Sequence, residues 1–329
     1  MWLVYMPISF YYIYLAFKAR SFFFFSASNP QIENGGMFFE SKWLIFQQMP
    51  QEIFPTTIFV NPYDSFDNIQ SKMAEANLTY PVIAKPDRGE RGWLVKKIHS
   101  ASELKQYKET LNITFLIQSY VAQPVELSVF YYRHPNTNKG NITSLTFKKL
   151  LTLTGNGYNT IKELIYQNDR AFLQYEHLKK YAVLDFDLVL EKNQIIEIVP
   201  YGNHALGAMF LNYNHLITPE LVDVFDLISK RINGFCYGRY DLRCSSIEQL
   251  MQGKDIFILE LNGAGAEPAH IYDPSFSFWN AQLVLAAHYK MMYEAAIENH
   301  KKGAEYMTYQ TFKNVLLLEK KYKRNQLCF

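Results

Sequence analysis

The chain has 329 residues, 49% apolar and 19% charged, a globular composition long enough for two or three lobes and unlike that of a disordered chain. Its net charge of +2 is too small to predict a polyanionic partner; with neither zinc-finger spacing nor a stacked-aromatic RNA motif, no nucleic acid is expected. Three cysteines (Cys236, Cys244 and Cys328) form no CxxC pair, which argues against a disulfide scaffold and for a reducing, cytoplasmic setting.

Residues 1–17 carry no charge and are rich in Trp, Tyr, Phe and Leu; Lys18 and Arg20 follow, then an aromatic run at 22–25. There is no basic start and no small-residue cleavage site, so a cleaved signal peptide is not expected. Three readings are open: a helix lying on a membrane surface, a helix packed on the protein itself, and a spanning anchor, for which this length is the lower limit. If the segment spans, Lys18 and Arg20 place the rest of the chain in the cytoplasm, and lipid contact through 1–25 is expected at the cytoplasmic face.

Residues 26–36 predict a loop with turns at Asn29-Pro30 and Asn34-Gly35-Gly36, and 40–48 a short helix ended before Pro50. From 57 onward the pattern is α/β: strand 57–60, helix 64–76, strands 81–85 and 93–98, helix 102–110, strand 115–119. Strands at 127–132 and 142–153 are expected to pair across the turn-rich 135–140. A helix at 160–167 precedes an expected hairpin of 181–190 with 194–200. Residues 219–232 predict an amphipathic helix, with Thr218 as cap and Pro219 at its first position. Strands at 235–242 and 256–261 and a long helix at 278–299 follow, and the basic run 320–324 predicts a solvated tail. The sum is α+β with mixed sheets, which disfavours a doubly wound dinucleotide fold.

The chemistry is concentrated in two of these strands. One reads Tyr237-Gly238-Arg239-Tyr240-Asp241-Leu242-Arg243, the other Phe257-Ile258-Leu259-Glu260-Leu261-Asn262. Alternate residues share a face, so Arg239, Asp241 and Arg243 point together, as do Glu260 and Asn262. If the strands pair, two carboxylates and an amide oxygen converge beside two guanidinium groups. That suits Mg²⁺, which takes few protein oxygens and shares itself with phosphates. The alternative is surface salt bridging; the apolar flanks favour a cleft. A second signal is Lys85-Pro86-Asp87-Arg88-Gly89-Glu90-Arg91-Gly92, where a strand delivers a lysine into a glycine-containing loop suited to phosphate oxygens. It is not a Walker loop, since the Gly-Lys-Ser/Thr order is missing.

Together these motifs resemble the ATP-grasp superfamily over about residues 57–300, and within it the D-alanine–D-alanine ligase-like and cyanophycin-synthetase-like carboxylate–amine ligases. The resemblance implies an ATP-grasp fold of two α/β lobes gripping ATP, divided as an aromatic N-terminal segment to 55, a small lobe 56–120, a large lobe 121–300 and a tail 301–329. It implies phosphate contacts from Lys85 and from the loop with Arg88, Gly89, Arg91 and Gly92, although family loops are richer in Ser and Gly. It implies adenine contacts along Gln118-Ser119-Tyr120-Val121, where an acidic residue often replaces the glutamine, and ribose contact at Glu126. A second phosphate lysine falls in Phe147-Lys148-Lys149, at Lys148 in preference to Lys149. Asp241, Glu260 and Asn262 match the metal triplet, for two Mg²⁺ ions, and Arg239 the arginine that balances charge on the developing acyl phosphate.

Substrate-side candidates are Glu40 after a Gly-Gly turn, His204 in the loop 201–208, and Gly263, Gly265 and His270 after the metal strand. The implied partners are a small carboxylate and an amine, and a homodimer is compatible with this reading. The implied reaction forms ADP and an acyl phosphate. A nucleotide-holding regulatory module and a phosphotransferase on the same fold are the alternatives.

Overall fold

A computed structural model describes residues 2–90, 92–181, 184–199, 202 and 207–324. The first helix, α1 (Trp2–Ala19), buries Ile8, Leu15, Ala16 and Ala19 and leaves Met6, Phe10 and Phe17 exposed. Its inner face packs on the protein itself: Tyr12 lies against Phe24 and Tyr289, and the Tyr5 hydroxyl is hydrogen-bonded to that of Tyr272. No helix among the described residues is long and apolar enough to cross a membrane. A loop then leads to α2 (Lys42–Phe46), shorter than the expected 40–48 because Ser41 caps it, its side chain accepting from the Leu44 N–H.

The small lobe is a four-stranded antiparallel sheet of β1 (Thr57–Val60), β2 (Val82–Pro86), β3 (Lys96–Ile98) and β4 (Phe115–Ser119), in the order β1-β4-β2-β3. Two serine-capped helices, α3 (Phe66–Glu75) and α4 (Ala101–Glu109), cover one face. They pack Ile69, Met73, Leu104 and Tyr107 onto Val82, Ala84, Phe115 and Ile117. The two-residue period of β2 and β4 therefore turns Lys85 and Gln118 to the other face. The strand expected at 93–98 begins only at Lys96; Leu94 takes a positive φ of 55° in a turn.

The large lobe is a five-stranded antiparallel sheet of β5 (Val125–Tyr132), β6 (Asn141–Lys149), β9 (Met209–Asn212), β10 (Tyr237–Cys244) and β11 (Phe257–Asn262), in the order β11-β10-β5-β6-β9. On one face α8 (Pro219–Lys230) buries Leu221, Phe225 and Ile228 against Val129, Tyr131, Leu145, Tyr240 and Leu242. The other face packs Phe130 and Tyr237 into the N-terminal aromatic cluster and carries polar side chains beside them. Between β6 and β9 a separate apolar cluster gathers β7 (Thr152–Thr154), α5 (Ile161–Tyr166), α6 (Asp169–Phe172), α7 (Tyr175–Tyr181) and β8 (Ile195–Glu197). Here the expected hairpin of 181–190 with 194–200 does not form, because β8 pairs with β7. Of the expected strand 181–190, residues 182–183 lie outside the described residues; Leu184, Phe186 and Leu190 join the apolar cluster of α5, and the carbonyls of Leu188 and Phe186 accept its first N–H groups.

The short helix α9 (Ile247–Met251) links β10 to β11, and α10 (Phe278–Lys301) and α11 (Tyr309–Arg324) follow the sheet. The run 320–324, expected as a solvated tail, is the last turn of α11. Phe312 packs on Phe23 and Phe38, and Tyr322 packs on Phe39 and donates to the Thr114 carbonyl. These two aromatics hold one face of α11 to the body, a pattern hidden by its many lysines. Cys236 and Cys244 are buried free thiols.

Two backbone segments meet where glycines allow it. Ala264 and Gly265 donate to the carbonyls of Gly35 and Gly36 at 2.9 and 2.8 Å, and a Cβ on Gly263 would collide with the Gly35 carbonyl oxygen and Gly36 Cα. Gly263→Ala should therefore cost about 1–3 kcal/mol, measured from urea unfolding; an unchanged midpoint would show that this contact does not constrain the fold.

Candidate active site

The site begins with strand register. Asp241 lies opposite Glu260 and Arg239 opposite Asn262 across β10 and β11, while Ser128 and Glu126 of β5 lie opposite Asp241 and Arg243. Lys148 of β6 joins the same face and is buried, whereas Lys149 points to solvent. The alternation of polar and apolar residues thus places Arg239, Asp241, Arg243, Glu126, Lys148, Glu260 and Asn262 on one face of one sheet.

Asp241 is the hub. Arg239 grips it with Nε and Nη2, each at 3.1 Å, Lys148 lies 3.0 Å away, the Asn262 amide donates at 3.2 Å, and Ser128 donates to Oδ1. Burial alone would raise the Asp241 pKa; Arg239 and Lys148 outweigh that and hold it well below the usual carboxylate range. Beside it, Glu126 pairs with Arg243 at 2.9 Å and with Lys148 at 3.6 Å, and accepts from the Gly202 N–H. Arg243 also donates to the Val121 carbonyl, which ties this face to the connection between the lobes.

Lys85 crosses from the small lobe. Its ammonium is buried and donates to Gln118 Oε1 at 3.0 Å and to the Leu259 carbonyl at 2.9 Å, with the Phe46 ring 5.2 Å away. The register of β11 slips between its pairings with Asp241 and Leu242, leaving Leu259 as the unpaired residue of a bulge, and its carbonyl serves Lys85. Among the described residues no carboxylate ion-pairs with Lys85. Burial pushes its pKa down to about 8, against the pull of Glu260. Gln118 thus holds Lys85 with a neutral oxygen, and its amide donates to Thr57. Ser119 pairs with Val82 and its N–H donates to Thr56, while Lys97 sits over the Tyr120 ring at 3.6 Å.

The remaining candidates are placed as follows. Arg88 is turned from the large lobe: Glu33 takes it in a fork at 2.8 and 3.0 Å, and it stacks over Phe39. Gly89 and Gly92 hold positive φ values of 142° and 74°. Gly263 and Gly265 approach backbone closely, but the backbone is that of Gly35, Gly36 and Met37. His270 is buried, with Nδ1 2.7 Å from Ser144 Oγ, and burial pushes its pKa down to about 4, so it is neutral at pH 7. Glu40 has a buried Oε2 with no hydrogen-bond partner among the described residues, and burial raises its pKa to about 7. Arg91 and His204 lie outside the described residues.

Sequence reasoning missed three residues. Asn29 receives the Cys236 and Tyr237 N–H groups and donates to the Gly35 and Tyr237 carbonyls, pinning the N-terminal loop to the start of β10. Asp87 accepts from Ser41 Oγ and the Trp43 N–H, stapling α2 to the end of β2. Lys42 reaches Glu260 Oε1 at 3.4 Å. Each acts over a long sequence separation; the Ser41 cap was the one local signal.

The donor set suits a hard divalent cation in part. Glu260 is about one-third exposed, with Lys42 as its one ion-pair partner among the described residues, and Asn262 keeps a carbonyl oxygen once its amide is spent on Asp241. Asp241 itself already receives donors on both oxygens. Among the described residues no three His, Cys, Asp or Glu side chains are placed to hold a metal ion; the triplet here has two carboxylates and an amide. Phosphates suit it better. Lys42, Lys85, Lys148, Arg239 and Arg243 face Glu126, Asp241 and Glu260, which leaves positive charge in excess.

The chain thus has a two-lobed α+β fold built on two antiparallel sheets, with an aromatic N-terminal cluster. No family model and no curated protein sequence matches it. Solved structures similar to it include a bifunctional glutathione synthetase from Pasteurella multocida (TM-score 0.36, 12% identity, 74% of this chain and 35% of that one). Others are the VanG D-Ala:D-Ser ligase from Enterococcus faecalis (0.44, 13%, 81% and 62%) and a D-alanine–D-alanine ligase from Bacillus anthracis (0.45, 14%, 80% and 69%). The chain therefore spans about a third of the first and less than two thirds of the second. Likeness this distant carries no weight for function.

The buried Lys85 supplies a test. Its folded-state pKa of about 8 lies below the ordinary 10.5. Between those values the unfolded chain holds the extra proton, so this group makes stability rise with pH across that window. Lys85→Met lacks this term. Its stability relative to wild type should be most favourable below pH 8 and should decline toward pH 10.5, as read by guanidinium unfolding at three pH values. A pH-independent difference would exclude Lys85 as the titrating group.

Proposed function

We propose that the chain binds MgATP between its lobes and joins a carboxylate to an amine with release of ADP and phosphate. The observation that carries this reading is the buried ammonium of Lys85, met among the described residues by neutral oxygens alone and facing a sheet whose charges already balance around Asp241. A buried cation without an anion is costly, and a polyphosphate removes that cost.

In this reading Lys85 and Lys148 bind phosphate oxygens, and the segment Gln118, Ser119, Tyr120 and Val121 lines the adenine with backbone groups. Glu126 reaches the ribose by exchanging part of its pairing with Arg243 and Lys148. The loop of Gly89 and Gly92 covers the phosphates and excludes water. Glu260, Asn262 and Asp241 are the groups that would hold magnesium, which neutralises phosphate charge when bound.

The substrate carboxylate oxygen attacks the γ-phosphorus and ADP leaves; the amine nitrogen then attacks the acyl carbon, phosphate leaves, and the amine loses a proton. Arg239, fixed by Asp241 and the Glu267 carbonyl, is aimed at the oxygen on which charge develops. Glu40, with its orphaned oxygen, is the candidate partner for the amine. A nucleotide-holding module without ligation is the second reading, favoured by Arg88 being engaged by Glu33 and not by the cleft.

Incubation with MgATP and a panel of carboxylates and amines tests the proposal. Phosphate release that depends on an added amine supports ligation. Tight nucleotide binding without turnover selects the second reading, transfer of phosphate to an acceptor without coupling selects a phosphotransferase, and no nucleotide binding ends all three. Glu260→Gln should lower turnover by about 10²–10³-fold while leaving thermal unfolding unchanged, since this side chain is partly exposed; full activity would remove Glu260 from the site.

A further inference from the structure

Lys42 stands outside every motif that suggested nucleotide binding, yet its position is fixed on both sides by Asp87. Its N–H donates to the Asp87 carbonyl at 3.1 Å, and the residues on either side, Ser41 and Trp43, both donate to Asp87 Oδ1 at 2.9 Å. This staple fixes the first turn of α2 against the end of β2, two residues beyond Lys85. From there the Lys42 side chain, 14% exposed, extends into the cleft. Its ammonium donates to the Gly89 carbonyl at 2.5 Å and lies 3.4 Å from Glu260 Oε1. One lysine thus touches the glycine loop of the small lobe and the last strand of the large lobe at once.

Glu260 and Asp241 sit opposite each other in register but differ in their surroundings. Asp241 has two cations and two neutral donors. Glu260 has Lys42. A divalent cation taking up Glu260 would leave the Lys42 ammonium, mostly shielded from water, without an anion. Phosphate oxygens beneath the Gly89 loop are the replacement within reach, since the same ammonium already touches that loop.

We infer that Lys42 is a third phosphate-binding lysine, supplied by the N-terminal segment, which exchanges Glu260 for a phosphate oxygen when a magnesium–nucleotide complex enters. This rests on the nucleotide-binding reading above and adds a residue and a competition to it: Lys42 and a divalent cation contend for Glu260.

The full chain and its Lys42→Met variant should be compared in three titrations: with the non-hydrolysable analogue adenylyl imidodiphosphate plus Mg²⁺, with adenosine, and with Mn²⁺ alone. One lost charge-assisted hydrogen bond predicts an analogue affinity weaker by about 10- to 100-fold, adenosine affinity unchanged, and Mn²⁺ bound more tightly by the nucleotide-free variant because Glu260 is released. Lys42→Arg, which keeps the charge, should recover most of the analogue affinity. It also serves if the Met variant fails to fold. Unaltered analogue affinity in the Met variant overturns the inference, and so does an equal loss for adenosine, which would make Lys42 a brace for α2 and nothing more. If the wild-type chain binds neither the analogue nor adenosine, the parent reading fails and this inference with it.

Discussion

The buried carboxylate of Asp241 is the constraint around which the rest is arranged. A carboxylate taken out of water in the middle of a sheet is tolerable only when paired and fully hydrogen-bonded. Asp241 meets that demand through Arg239 on its own strand, Asn262 on one neighbour, Ser128 on the other and Lys148 one strand further away. Four strands are thereby committed to one register, because a slip of one residue would carry these groups to the apolar face beneath α8. Lys148 extends the network to Glu126 and so to Arg243.

Charge on this face is therefore internally settled, and the unsettled charge lies at its edge. Lys85 from the small lobe, Lys42 from the N-terminal segment and Glu260 from the outermost strand meet there without balancing. The contrast separates two kinds of polar residue: those that make the sheet possible and those left with a spare interaction for a ligand. Lys85 belongs to the second kind because Gln118 stands where an acid would have neutralised it. Glu40, with a buried oxygen lacking a donor, belongs there too.

The N-terminal segment is tied into both lobes. It contributes α1, the Asn29 anchor, the glycine contact with the end of β11, and the α2 staple on Asp87. Its residues thus touch the loop after the metal-candidate strand at one end and the glycine loop at the other. Its aromatic excess is partly spent inward on Phe24, Tyr289 and Tyr293; Phe10 and Phe17 remain 71% exposed, so its apolar content is not accounted for by packing alone.

Local periodicity determined much of this from the sequence by itself. The strands around Asp241 and Glu260, the facing of their side chains, the strand carrying Lys85, and the Thr218-Pro219 start of α8 all follow from two- and 3.6-residue repeats and capping chemistry, which act within a few residues. Tertiary structure alone decided the choice of Lys148 over Lys149, the bulge that frees the Leu259 carbonyl, the pairing of β8 with β7 in place of the expected hairpin, and the docking of α11 through Tyr322. It also decided that Lys42 and Asn29 matter at all. These depend on which distant segments share space, and a strand or a lysine carries no local mark of its partner: the free energy of pairing lies in contacts between residues far apart in the chain, which alternation and composition do not encode.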